Sequence, residues 1–426
     1  MKMKSSYKGN FSFSEIENDL KSKPFYTLFF NLMVLSLFFI QALRAYVPGV
    51  YVAMFHVVFG HNIVENLLIL LTLIFFTLPA LTNTLCKKFG IRRVAIYSIY
   101  CIAICRLLIA FHLPNIWQTI LSGIIIAIYG TFISTILTLW FDNDINGIKS
   151  NNKIIFAVFS ILCAFLLDYL IRTIGFSQDI SLMPPGLNAE YWYITQYIWL
   201  FIQIPLTVVC IYYTRVSFPQ FRNDASSVEG KGKKGTVYSL LFVGIGMFWF
   251  LLFNVFLYPN IIAHYTDSSY YVSNIISIIA VIISILTILS IKKKILLNIK
   301  VTVILNCFMI VSISLFLFLG RILTYFAVIL VSISLIIMYL NFFLLFSRMS
   351  TIIFKWEKVK TISNAFAIGL VFYILFTVLH IFTTDWAYII SAFKGLGPII
   401  ILIAIIILSV STIISNRLTK QGGKKE

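Results

Sequence analysis

Apolar runs of about twenty residues recur along the whole chain, separated by short polar stretches. A run of that length folds into a helix that crosses a ~30 Å hydrocarbon core. Hydrocarbon admits only structures that satisfy every backbone polar group internally. The short alternating segments of a transmembrane barrel are missing from the sequence. The pattern therefore predicts an all-α polytopic membrane protein with twelve spans. They fall at 25–48, 64–84, 93–112, 116–140, 154–175, 193–214, 237–259, 270–291, 301–320, 322–346, 362–382 and 396–415. Composition agrees: the 426 residues are 60% hydrophobic and 11% charged, with a mean hydropathy of +0.97, far from soluble-domain averages. The first span is too long for a signal-peptide core, and no small-residue cleavage site follows it.

A net charge of +18 would suit a nucleic-acid partner, but its distribution argues against one. Of the 33 Lys and Arg, 28 cluster before the first span, after the last, and in alternate loops between. That asymmetry is the positive-inside pattern, and it predicts cytoplasmic termini in a cell membrane. The basic loops also suit anionic lipid headgroups. The six cysteines fall in or beside spans, so a disulfide framework is not expected. Cys101 and Cys105 share a helix face without a His or carboxylate beside them, which reads as packing rather than a metal site. No metal or cofactor is predicted.

The longest polar interruption, "RVSFPQFRNDASSVEGKGKKGT" at 215–236, is rich in Gly, Ser and Lys and has no apolar periodicity. It reads as a cytoplasmic linker. It divides the chain into a cytoplasmic segment 1–24, a six-helix bundle 25–214, a second six-helix bundle 237–415 and a tail 416–426. The two halves are faintly alike. The first span ends in "RAYVPGVY" with Pro48 and the seventh in "VFLYPNII" with Pro259; each is followed by an outer loop, a span and a basic inner loop. Parallel six-span repeats build transporters whose site lies between the halves.

The inner loop "LPALTNTLCKKFGIRRV", 78–94, resembles a degenerate form of the major facilitator superfamily motif G-x-x-x-D-R-x-G-R-R. Aligned on Gly90, the basic Lys88 and Arg92 match and Arg93 follows. Asn83 stands for the first glycine, Lys87 for the aspartate and Ile91 for an arginine. The twelve spans, inside termini and central linker resemble the family over nearly the whole chain. The resemblance implies two six-helix bundles related by a pseudo-two-fold axis, rocking in alternating access, and a latch at the motif that this chain's Lys87 departs from.

Five ionisable residues interrupt the outer part of the first six spans: Arg44, Glu65, Arg106, Asp168 and Arg172. Charges in hydrocarbon are kept when paired or functional. Asp168 and Arg172, four apart, share a helix face and are predicted to pair, within a wider network that includes Arg44, Glu65 or Arg106. This network reads as a lock on the outer side. Glu65 and Asp168 are also the carboxylates available for proton coupling, although neighbouring arginines favour permanent ionisation. Gln41, Arg44 and Pro48 follow at helical spacing. In the resembling fold the first and fourth spans of each half line the cavity, so Arg44 is the expected anchor for a carboxylate or phosphate. The alternatives for it are snorkelling to headgroups or pairing with Glu65. In the second half Trp249, Asn254, Tyr258, Tyr339, Asn341 and His380 offer an aromatic and amide wall; Asn254 and Tyr258 are expected to face Arg44. The outer loop at 177–193 carries a Pro184-Pro185-Gly186 turn and a Tyr191-Trp192-Tyr193 interfacial belt.

"GKGKKGT" at 230–236 lacks the Walker spacing and any preceding strand, so no nucleotide site is read there. Polar acids and histidines are scattered over the outer loops rather than gathered for catalysis, which argues against an enzyme. The expected function is secondary active or facilitative transport of a small polar or amphipathic, anion-leaning solute by a monomer. A proton or sodium gradient, or the solute's own, would drive it. The alternatives are a lipid flippase or other lipid-handling protein and, behind it, a multi-pass transferase.

Overall fold

A computed structural model describes residues 24–58, 60, 62–111, 113–141, 150–174, 189–217, 270–291 and 355–384, with Gly246 and scattered positions from 301 to 414. The described residues are built from helices. They are α1 Pro24–Val58, α2 Ile63–Leu71, a 3-10 segment Thr72–Thr77, α3 Leu78–Phe89 and α4 Ile91–Ala110. These are followed by α5 Asn115–Phe141, α6 Ser150–Ile174, α7 Ala189–Ser217, α8 Tyr270–Ser290 and α9 Lys355–Thr384. Among the described residues, five stretches, beginning at Phe29, Ile63, Ile91, Ile116 and Ile154, are long and apolar enough to cross a membrane. Most of the seventh, ninth, tenth and twelfth predicted spans lies outside the described residues, as do the 215–236 linker beyond Ser217 and the 177–188 turn.

Helix α1 outruns its predicted end at 48 and continues to Val58. Pro48 sits inside it and has no N–H for the carbonyl of Arg44, a loss that membrane helices tolerate because neighbours re-satisfy the freed group. The second predicted span is continuous in hydropathy but broken in structure. Pro79 has no N–H to close a bond to Phe75, and the Leu78 N–H bonds that carbonyl instead, one residue early. The Thr72 hydroxyl donates to the Ile69 carbonyl, and the Thr77 hydroxyl to that of Ile74 at 2.7 Å. Together they tighten the middle of the span into a 3-10 turn.

The core gathers around α1, whose described side chains from Leu32 to Ala53 are mostly buried, and which packs against α2, α4, α5, α6 and α7. It lies very close to α5 because glycines face side chains there. A Cβ on Gly49 would sit 2.6 Å from the Thr119 Oγ1, and one on Gly123 would sit 2.7 Å from the Tyr46 ring. Small residues that let backbones approach are the usual device where lipid supplies no hydrophobic drive between helices. Tyr46 also shares a hydrogen bond with Thr72 at 2.6 Å, and Asn31 donates to the Thr214 Oγ1 on α7 at 3.4 Å.

The helices beyond the predicted linker pack on the earlier ones: α8 on α6, and α9 chiefly on α3 and α5, with lesser contacts to α1 and the 3-10 segment. Buried hydroxyls on α5 turn back onto their own helix. Ser134 donates to the Gly130 carbonyl at 2.6 Å, Thr135 to that of Phe132 at 2.8 Å, and Thr138 to that of Ser134 at 2.7 Å. Thr207, Thr214, Ser284 and Thr287 do the same on α7 and α8.

Candidate functional site

Asp168 on α6 is 1% exposed, and its Oδ2 lies 2.9 Å from the Arg44 Nη2 on α1, whose side chain is 12% exposed. The sequence pointed to Arg172 as the partner of Asp168. The structure brings Arg44, expected in the wider network, onto the carboxylate; the Arg172 backbone continues α6 and its side chain lies outside the described residues. The Arg44 guanidinium also stands over the Tyr169 ring, 5.3 Å from its centroid. Ion pair and ring hold it from two sides, which fits a planar, weakly hydrated cation. Arg106 on α4 is buried, stands 6.0 Å from the Phe38 ring centroid, and feels the Asp168 charge. One carboxylate is thus shared electrostatically by two arginines.

Gln41 lies three residues before Arg44 on α1. It is 8% exposed, and both ends of its amide are buried without a hydrogen-bond partner. An amide left so costs about 1–3 kcal/mol for each group. Toward the loop 87–93, below this level, lies a band of rings. Phe39 stacks on Tyr129 at 4.1 Å, and Phe366 of α9 approaches both, at 6.0 Å and 6.2 Å. The Tyr129 hydroxyl bonds Ser36 at 2.8 Å. Tyr339, from the second half, is fully buried and lies 6.1 Å from the Phe165 ring. Of these rings the sequence singled out Tyr339 alone.

Glu65 is not drawn into this cluster. It stands exposed in the first turn of α2, where a carboxylate meets the positive end of the helix dipole. Asn254, Tyr258, Trp249 and Asn341 lie outside the described residues, as does the side chain of His380. The loop motif forms the corner between α3 and α4. Gly90 takes φ 86° and its N–H bonds the Cys86 carbonyl at 2.8 Å, so a glycine with positive φ ends one helix and starts the next. Lys87, Lys88 and Arg93 are exposed there, Arg92 is half-buried, and Lys88 lies over the Phe89 ring. Asn83 faces inward on α3 with its Oδ1 buried and unbonded. Among the described residues no three His, Cys, Asp or Glu gather as metal ligands.

No protein-family model matches the sequence, and no curated relative matches it. Solved structures do match in fold. A bacterial homologue of the iron transporter ferroportin, in an outward-facing state, superposes with TM-score 0.58 at 12% identity, over 92% of this chain and 99% of that one. The E. coli fucose:proton symporter gives TM-score 0.56 at 12% identity over 90% and 98%. A human organic anion transporter gives 0.55 at 11% over 92% and 99%. Two further matches, the same fucose symporter in an outward conformation and a proton:xylose symporter, at TM-scores 0.56 and 0.57, are major facilitator superfamily transporters, so the chain has their all-α polytopic fold.

Proposed function

We propose that the chain is a solute transporter working by alternating access, with the halves 25–214 and 237–415 rocking about a site at Gln41 and Arg44. The observation that carries this reading is Gln41. A buried amide with neither end bonded is a standing cost in the empty protein, and it lies one turn from a guanidinium. A solute offering a hydrogen-bonding group to Gln41 and a carboxylate or phosphate to Arg44 would settle both. The predicted spans of the first half carry three arginines, Arg44, Arg106 and Arg172, against two carboxylates, Glu65 and Asp168, and of these Asp168 is buried against Arg44. That balance favours an anionic or partly anionic solute. Asn254 and Tyr258 are proposed to complete the site from the second half, and Glu65 and Arg172 to serve the outer gate. A proton or sodium ion is the proposed coupling ion, both termini are placed in the cytoplasm, and the chain acts as a monomer rather than an enzyme.

The experiment is a thermal-stability screen of purified protein with sugars, organic anions, amino acids, phosphate esters and lipids, on wild type, Arg44→Gln and Gln41→Leu. Gln41→Leu should raise the melting temperature of the empty protein, because an unmet amide is replaced by an apolar group. Anion stabilisation of wild type should vanish in both variants. Stabilisation by lipids alone would move the reading to a lipid flippase, and anion stabilisation that survives both changes would remove the site from Gln41 and Arg44.

A further inference from the structure

A second buried amide stands opposite Gln41, on α7. Near the start of α1, Phe30 stacks on Tyr213 of α7 at 4.8 Å, and Asn31 donates to the Thr214 Oγ1 at 3.4 Å. Gln41 lies eleven residues beyond Phe30, and Gln203 lies eleven residues before Thr214. Eleven helical residues make three turns and about 20°, with a rise of about 16 Å. Each glutamine therefore falls on the stripe that faces the other helix, and both fall at one level. Gln203 is 4% exposed, and its Oε1 is buried without a hydrogen-bond partner, as are both ends of the Gln41 amide. Charges flank the pair along α1. Arg106 stands over Phe38, one turn before Gln41, and Arg44, ion-paired with Asp168, follows one turn after it.

Three amide atoms at this level are unmet. Gln41 Nε2 needs an acceptor, and the Oε1 atoms of Gln41 and Gln203 need donors. A hydroxyl serves two of them at once, accepting from Gln41 Nε2 and donating to Gln203 Oε1. A second hydroxyl serves Gln41 Oε1. Two guanidiniums against one carboxylate leave one positive charge among these side chains for an anion to balance. A bare carboxylate only accepts, so it cannot serve the two oxygens. An ammonium only donates, and it adds a cation. We propose that the solute is a polyhydroxy acid, with its carboxylate toward Arg44 and two of its hydroxyls between Gln41 and Gln203. This rests on the transport reading and narrows its solute. It also makes Gln203 a specificity residue, reading hydroxyls while Arg44 reads charge. Water offers the same hydroxyl chemistry, and the experiment separates the two.

The test compares six-carbon probes on the purified full chain. Gluconate has charge and hydroxyls, hexanoate charge alone, sorbitol hydroxyls alone, and norleucine an ammonium beside its carboxylate. Thermal shift against concentration gives each apparent affinity on wild type, Gln203→Met and Arg44→Gln. Wild type should bind gluconate at least about tenfold more tightly than hexanoate, because an acid without hydroxyls leaves the amides unpaired. Gln203→Met keeps the length of the side chain and removes its oxygen. It should cut that preference to below about threefold, by weakening gluconate. Arg44→Gln should weaken both acids alike and leave sorbitol as weak as before. If Gln203→Met misfolds, the wild-type order of the four probes decides. A preference that survives Gln203→Met would overturn the inference and assign the amides to water. Hexanoate, sorbitol or norleucine binding as well as gluconate would also overturn it, and so would the absence of binding by any probe. Two acids that bind alike and are both lost in Arg44→Gln would sink this inference alone and leave the transport site standing. Acid binding that survives Arg44→Gln would sink the transport site itself.

Discussion

Replacing Asp168 by Asn keeps the shape of the side chain and removes its charge. The carboxylate is 1% exposed and lies 2.9 Å from the Arg44 Nη2, so water screens little of the attraction. At an effective dielectric near 20, unit charges at that separation attract by about 6 kcal/mol. Desolvation of both groups cancels much of this, and the net coupling expected is about 2–3 kcal/mol. The substitution also leaves Arg44 and Arg106 without their shared counter-charge. Asp168→Asn should therefore cost about 3–5 kcal/mol. Arg44→Gln should cost less, since the Arg106 charge still acts on the carboxylate. The double variant should recover at least ~1.5 kcal/mol of the sum of the single losses. SDS-driven unfolding of purified protein, read by tryptophan fluorescence, measures all four corners of the cycle. A coupling below ~0.5 kcal/mol would refute the argument that the two residues act as one buried unit.

Removing the ring beneath Arg44 with Tyr169→Leu should lower stability by about 0.5–2 kcal/mol, while Tyr169→Phe should cost less than half as much, because the face that meets the cation is kept; the same unfolding assay reads both. Gly49→Ala should destabilise by about 1–3 kcal/mol through overpacking, and adding Thr119→Ala should restore part of that, since the Thr119 side chain is what the new methyl meets. Tyr46→Phe removes the hydrogen bond to Thr72 and should cost about 1 kcal/mol; hydrogen exchange should rise first around 69–77 if the bond braces the 3-10 turn.

Much of the helix order was legible because hydropathy is a long-range property of the chain. The fourth span, expected at 116–140, is Asn115–Phe141, and the eighth, expected at 270–291, is Tyr270–Ser290. The sequence stopped the first span at Pro48, where a soluble helix would break; the surrounding helices carry it on to Val58. The 3-10 turn hid inside an unbroken apolar run, although Thr72, Thr77 and Pro79 were its local signal. Arg44 and Asp168 stood out as charges among apolar residues and were placed in one network, yet spacing singled out only Arg172 on the same helix and could not choose among Arg44, Glu65 and Arg106. A partner from another helix is set by packing, which a single sequence does not encode locally. The ring band at Phe39, Tyr129 and Phe366 gave no signal at all, since a chain with 40 Phe and 22 Tyr makes every ring look ordinary.

The hydroxyls of α5 have a mechanical consequence. Ser134, Thr135 and Thr138 spend their donors on carbonyls of the same helix, as Thr207, Ser284 and Thr287 do on theirs. A polar group satisfied within its own helix travels with that helix. When neighbours slide past one another, no donor has to be released into a medium that offers no replacement. These hydroxyls of α5 therefore shape its surface without tying it to a neighbour, and the cross-helix bonds of this helix fall elsewhere, at Tyr129 with Ser36 and Thr131 with Thr82.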